Sequence, residues 1–539
     1  MVHRRLERFE LTCAKTGSIT LVFVLTVILA ITIVSIAFPT IIPWAFPLLA
    51  VFAVLVYWSV KWDLTLLPFI WVLSYGLLDW PQWRWESTSF FNMTVPRFIF
   101  ISVIMVFAMH FLFRRESLRW DKVFWVILAL LLYCAVSATR TGWVIDGEQP
   151  PARGAPYFRF LGAVLFPILM CFCIYNTTRK EDQIRRVLIL LSIYGWYALY
   201  IGYLQYAAIM GMQGARALIW PDYINNPLLP FGHHFDRARG AFYTANPQAN
   251  LLIILFFADL YLIRKIRGWY RAALVVQIIL IPPAIFFTGL RAAYLGFVLC
   301  AVVWCLWGCK ERLGKTKLAI VFLAMGLGVL MFWGNLTRRP APPAGPAAVV
   351  PTYRATGGVA QVSPIISRLV LLARTGDLVR IHPFTGVGFG HFIEADKQVE
   401  RDPASLSSLY TAITPISTPA NLFLVFLAET GLIGLGLIVA VYILIFRRSI
   451  GLYRRLPEAT DGSLLAKDFI VLFWIVMVVY LNDAMFVDPL WDVPSNGLFW
   501  ALVGLMLGYY RLVAVRSSES AGVSPVLVDK QTYLPTAGR

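Results

Sequence analysis

The sequence predicts an all-α polytopic membrane bundle of about 14 transmembrane helices, with one long outer loop that carries short amphipathic helices. Three observations predict it. Of 539 residues, 59% are hydrophobic and 14% charged, against roughly 45–50% and about 25% in ordinary soluble chains. The mean hydropathy of +0.71 is too high for a single water-soluble core, so the solvent for most of the chain is a bilayer. The apolar residues come in continuous runs rather than the ten-residue alternation of a membrane barrel. Length alone would suit about three or four soluble domains, but the runs leave room for only one sizeable hydrophilic insert, which excludes a soluble enzyme on a single anchor.

The runs fall at 19–38, 41–60, 64–79, 97–113, 123–139, 158–175 and 187–210. Seven more follow at 247–263, 272–288, 290–308, 318–334, 419–446, 468–487 and 495–513, each near the roughly 20 residues a spanning helix needs. The first run has no Ala-x-Ala cleavage site and leads directly into a second, so it reads as an uncleaved anchor. The organisation is then an amino-terminal membrane bundle over 1–334, a long loop over 335–418, carboxy-terminal spans over 419–513 and a tail over 514–539. Within the loop, PAPPAGPAAVVP opens a linker over 340–364 that buries too little apolar surface to fold. An amphipathic helix is expected over 365–380, with Arg368, Arg374, Asp377 and Arg380, and HPFTGVGFGHF then forms a glycine-rich turn.

The net charge is +18. In a soluble domain this would point to nucleic acid, but in a polytopic chain basic residues gather in inner loops and fix orientation. With the amino terminus inside, 30 of the 47 Lys and Arg fall on inner segments and 17 outside, and both termini are inner. The outer set is 16 Arg and Lys397. Arginine presents a rigid fork that matches phosphate bidentately and keeps its proton, so a diphosphate is a natural partner. Part of the bias is compositional, since the chain has 36 Arg to 11 Lys.

The seven cysteines lie in or beside apolar runs and imply no disulfide framework. There is no HExxH, GxSxG, Walker loop or Rossmann fingerprint, so zinc-hydrolase, serine-hydrolase and ATPase classes fall, and neither a metal nor a cofactor is expected. Arg291, in FFTGLRAAYLG, sits at the outer turn between two spans, where it either faces a cavity or partner or snorkels to headgroups. Arg237 and Arg239 precede GAFYTANPQAN at the entry to another span, and His233-His234 read as exposed loop residues. Glu429 lies inside a span near its outer end, and Asp259 is expected to pair with Arg264 at the interface.

The succession RARGAFYTANPQAN, FFTGLRAAYLG, RTGDLVRIHPFTGVGFGHF and NLFLVFLAETGLIG, over about 237–446, resembles the bacterial O-antigen ligase and O-antigen polymerase superfamily. The resemblance implies a metal-independent glycosyltransferase of the inner membrane. It would work at the periplasmic face, with the long loop in the periplasm, and move a glycan from undecaprenyl diphosphate to a saccharide acceptor. It also implies Arg291, Arg368, Arg374 and Arg239 as ligands of the donor diphosphate. Gly386 and Gly388 match the family's Pro-x-x-Gly-Val-Gly block, and Asn421, Gly431 and Gly434 match its His-Asn, nine-residue, Gly-x-x-Gly pattern. Ala420 stands where ligases carry the histidine held to activate the acceptor. The missing histidine leaves three readings, with His391, His382 or Glu394 as the base, transfer without a strong base because the diphosphate is already a good leaving group, or an inactive protein; a polymerase of surface polysaccharide is favoured over a ligase acting on lipid A-core. A chain-length regulator and a flippase of the same pathway are candidate partners. A transporter or a glycan-binding scaffold is the competing class, although no internal repeat supports transport.

Overall fold

The computed structural model describes residues 63–77, 94–114, 117–143, 156–219, 237–308 except 243, 326, 364–399, 421–458 and 464–520. The predicted spans at 19–38 and 41–60, nearly all of 318–334, the linker before Pro364 and Ala420 lie outside them. Among the described residues every regular element is helical, as the continuous apolar runs require. In chain order the helices are α1 (Leu67–Leu77, after a 3₁₀ turn at Leu64–Leu66), α2 (Val95–Arg114), α3 (Lys122–Thr141) and α4 (Pro156–Thr177). Next come α5 (Asp182–Ile209), α6 (Gln213–Ala217), α7 (Ala245–Leu262), α8 (Trp269–Phe287) and α9 (Arg291–Trp307). The last five are α10 (Pro364–Ile381), α11 (Phe392–Gln398), α12 (Leu422–Arg455), α13 (Lys467–Phe486) and α14 (Val493–Ser520). Among the described residues nine helices are long and apolar enough to cross a membrane, and two shorter apolar ones, Leu64–Leu77 and Arg291–Trp307, accompany them.

The helices pack around α7, α13 and α14, which are among the most enclosed. Helix α14 lies along α4, α9 along α13, and α12 between α3 and α14. Aromatic stacking fills the contacts, as between Tyr480 and Phe499, whose ring centroids are 3.8 Å apart. Cys134, Cys171, Cys173 and Cys300 are free, buried thiols in this core.

Polar side chains sort the loops into two ends. At one end Arg448 pairs with Asp121 (3.1 Å), Lys265 with Asp468 (3.5 Å), and Tyr509 Oη donates to the Lys180 carbonyl (2.7 Å). These join the α2–α3, α4–α5, α7–α8 and α12–α13 connections, the grouping expected from their basic residues. Connections from the opposite end build the site. Asp259 departs from expectation. It is 0% exposed with Ser192 as its polar neighbour, while the Arg264 guanidinium stacks over Trp304 at 5.5 Å. Position 259 is on the face of α7 that the bundle encloses, so the five-residue spacing to Arg264, which lies beyond the helix end, does not bring the charges together.

Candidate active site

The site is built around a helix that is broken in mid-span. Asn421 caps α12, its side chain accepting from Phe423 N (2.9 Å) and Leu424 N (3.1 Å). The helix runs to Thr430, breaks at Gly431 (φ 65°, ψ −167°) and resumes toward Arg455. A break strands carbonyls on one side and amides on the other, and the glycine-rich turn supplies their partners. Val387 N donates to the Ala428 carbonyl and Gly388 N to the Glu429 carbonyl, both at 2.9 Å. From the other half, Leu432 N donates to the Pro383 carbonyl (2.9 Å) and Ile433 N to that of Phe384 (3.3 Å). Tyr133 Oη, from α3, donates to the Thr430 carbonyl at 2.9 Å. The approach is so close that a Cβ on Gly386 would lie 2.3 Å from the Glu429 carbonyl carbon, so the glycine there is a steric requirement.

A buried ion triad ties this splice to the bundle. Arg159 Nη1 donates to Glu429 Oε1 at 2.6 Å and Nη2 to Asp488 Oδ2 at 3.1 Å, all three side chains being no more than 2% exposed. The second Glu429 oxygen accepts from Gly390 N at 2.9 Å. Arg159 opens a π-helical turn, Arg159–Leu165, within α4, the kind of local widening that often marks functional positions. Arg140 Nη2 adds a 2.9 Å bond to the Gly386 carbonyl. Sequence reading did not find this triad. Arg159 and Glu429 are 270 positions apart and Arg159 and Asp488 are 329, so only the presence of charges within or beside apolar runs signalled them.

The last turn of α13 is contacted from several of the segments that carry the predicted donor-binding residues. Asn482 Nδ2 donates to the Ala292 carbonyl (2.8 Å), next to Arg291 at the start of α9. Asn421 Nδ2 donates to the Met485 carbonyl (3.1 Å), and the Arg368 guanidinium lies 5.4 Å from the Phe486 ring centre. Positions 482, 485 and 486 share one helix face, so the start of α9 beside Arg291, the Arg368 guanidinium and the Asn421 side chain, widely spaced in sequence, each contact one turn. The loop bearing Arg237 and Arg239 docks on the turn before Arg291. Ala238 N donates to the Phe287 carbonyl (2.9 Å), and Gln205 Oε1 accepts from Arg239 N (2.9 Å) and Gly240 N (2.8 Å). Arg291 and Arg368 are exposed and Arg239 half-buried.

The other predicted residues are placed differently. Arg374 is 1% exposed and paired with Asp396 of α11, fastening α10 to α11. His391 is buried, with Nε2 2.8 Å from the Gly142 carbonyl. With a carbonyl as partner, Nε2 carries the proton. His382 is exposed and Glu394 half-buried. Gly434 lies one turn beyond the break, where a Cβ would meet Thr430 Oγ1 at 2.0 Å.

The fold and site together define a multi-pass helical membrane protein whose predicted site residues are concentrated at one end. Residues 276–439 match the O-antigen ligase family model. The matched segment takes in Arg291, α10, the glycine-rich turn and the break in α12, and it supports membership of the O-antigen ligase/polymerase superfamily. None of the curated proteins matches the chain significantly.

Proposed function

We propose that the protein is a membrane glycosyltransferase that moves a glycan from undecaprenyl diphosphate to a sugar hydroxyl at the periplasmic face of the inner membrane, as a polymerase in surface polysaccharide assembly. The family match supports a ligase- or polymerase-type membrane enzyme with lipid-linked glycan and acceptor substrates. The observation that carries the finer reading is that the last turn of α13 is contacted by the Ala292 carbonyl next to exposed Arg291, by exposed Arg368 and by Asn421. Cations fixed at the end of a span are placed for a lipid diphosphate at the leaflet surface, and they stabilise the charge that develops as the diphosphate leaves. Arg239, beside the same turn, is a further ligand. Arg374, held by Asp396, contributes by positioning α10, and Gly386, Gly388, Gly431 and Gly434 by letting loop and helix interlock. Polymerase is favoured because Ala420 replaces the ligase histidine.

A deletion strain tests the class of product. Loss of high-mass polymer with single repeat units left on lipid supports a polymerase; long lipid-linked polymer that fails to reach lipid A supports a ligase instead. Arg291→Lys keeps the charge but loses the bidentate fork, so polymer synthesis should fall roughly tenfold to a hundredfold at normal protein level, nearly as far as in Arg291→Ala. Full activity of Arg291→Lys would remove the diphosphate clamp. Orientation is checked separately. Reporter fusions at Pro346 and Pro457 should read outside and inside respectively, and the reverse pattern would put the site on the wrong face of the membrane.

A further inference from the structure

The end of the bundle opposite the candidate site carries an arginine cluster assembled from the ends of α3, α4, α12 and α14. Arg448, on α12, donates from Nη1 to Tyr510 Oη of α14 at 2.9 Å and from Nη2 to Asp121 Oδ1 at 3.1 Å. Its guanidinium and that of Arg455 lie 4.8 Å and 5.5 Å from the centre of the same Tyr510 ring. The next residue along α14, Arg511, donates to the Thr178 carbonyl at 2.8 Å, with its guanidinium 5.0 Å from the centre of the Tyr175 ring of α4. Arg119, just before α3, is held there by its backbone, whose N–H donates to Asn176 Oδ1 at 2.8 Å. Arg119, Arg448 and Arg511 all lie within electrostatic reach of the Tyr175 hydroxyl, and the carboxylate among them is Asp121. That carboxylate is already engaged, since Asp121 Oδ1 also accepts from Val123 N at 2.9 Å as the cap of α3. Arg119 and Arg455 are exposed, and among the described residues neither has a carboxylate partner.

Orienting a chain in the membrane needs only that basic residues lie in the loops on one side. It does not need guanidiniums set against aromatic rings and drawn together from four helix ends. Such contacts fix a guanidinium while leaving in-plane N–H groups to donate, the arrangement that suits phosphate oxygens. The cluster also lies where headgroups lie, because two lipid-facing surfaces run into it. On α3, Val136, Leu132 and Trp125 form an exposed stripe at helical spacing that ends at exposed Lys122. On α12, which packs along α3, exposed Ile443 and Phe446 lead to exposed Arg447. We propose that this cluster binds the headgroup of an anionic phospholipid, with Arg119, Arg448 and Arg455 donating to its phosphate oxygens and its acyl chains lying along the stripes of α3 and α12. The surplus of cations selects against a zwitterionic lipid, whose own ammonium already balances its phosphate. Inorganic phosphate offers the same oxygens but has no chains for the two stripes.

The test titrates the full-length protein in detergent with phosphatidylglycerol, phosphatidylcholine or inorganic phosphate and counts bound lipid by native mass spectrometry. Phosphatidylglycerol should bind at least about tenfold more tightly than phosphatidylcholine, and each of Arg119→Gln and Arg455→Gln should weaken it by about fivefold. Both side chains are exposed, so these variants keep the fold, whereas Arg448 is left intact because it holds Asp121. Arg271→Gln is the control. It removes an exposed cation near the start of α8, at the same end but outside the cluster, and should leave the affinity within about twofold. An equal loss in Arg271→Gln would mean diffuse attraction rather than a site and would overturn the proposal. So would equal binding of phosphatidylcholine. Displacement of phosphatidylglycerol by millimolar inorganic phosphate would make the ligand a free anion and overturn the assignment to a lipid.

Discussion

Arg159→Ala is expected to lower stability by about 3–5 kcal/mol, the usual effect of removing one partner from a buried ion pair. Both acids remain after the change, Glu429 and Asp488, each no more than 2% exposed and deprived of the cation they share. The damage spreads, because Glu429 also accepts from Gly390 N, so the glycine-rich turn is held to the break in α12 by a carboxylate that has lost its anchor. Thermal unfolding in detergent and protease cutting within 364–399 would register both effects. Arg159→Met combined with Glu429→Gln and Asp488→Asn removes the charges together and should be milder than Arg159→Ala alone. A single mutant as stable as the wild type would show that the triad contributes nothing to the fold.

Gly431→Ala should be comparably severe for a different reason. Its backbone, at φ 65° and ψ −167°, lies in a region open essentially to glycine, where another residue costs about 1–3 kcal/mol. The new Cβ would also lie 2.3 Å from the Phe384 carbonyl carbon, so the loop has to separate from the helix. Gly436 is the control. It sits in the continuous part of α12, where a Cβ would have no neighbour within 4 Å beyond its own helix, and Gly436→Ala should be neutral or slightly stabilising. Melting temperature and polymer output should fall together for Gly431→Ala and stay level for Gly436→Ala; equal behaviour of the two would mean that the break is not needed.

The helices themselves were legible because a span declares itself by its own composition. The run expected at 97–113 is found as Val95–Arg114, and that at 468–487 as Lys467–Phe486. The helix expected at 365–380 is found as Pro364–Ile381. The break in α12 was not legible, since apolar residues continue through 431 and hydropathy does not report backbone angles. Its glycines were marked only by resemblance. Pairings were the least visible. Arg374 read as a cation available to a ligand and is instead enclosed with Asp396, because amphipathic spacing shows which face is polar but not what will cover it. Nothing in the sequence singles out Asp488 among the acids near span ends, and only the folded chain shows that it pairs with Arg159.

The splice between the glycine-rich turn and α12 also bears on how the protein is made. Gly386 and Gly431 are 45 positions apart, so the turn leaves the ribosome shortly before the helix it will divide. At insertion, residues 422–446 present a segment that is apolar but for Glu429 and a few small polar residues, long enough to partition into lipid as one straight rod. The break is then imposed from outside, when the waiting turn exchanges hydrogen bonds with both halves. Closure of the splice would in this way be a late maturation step, reached only after the segment has been delivered to the bilayer.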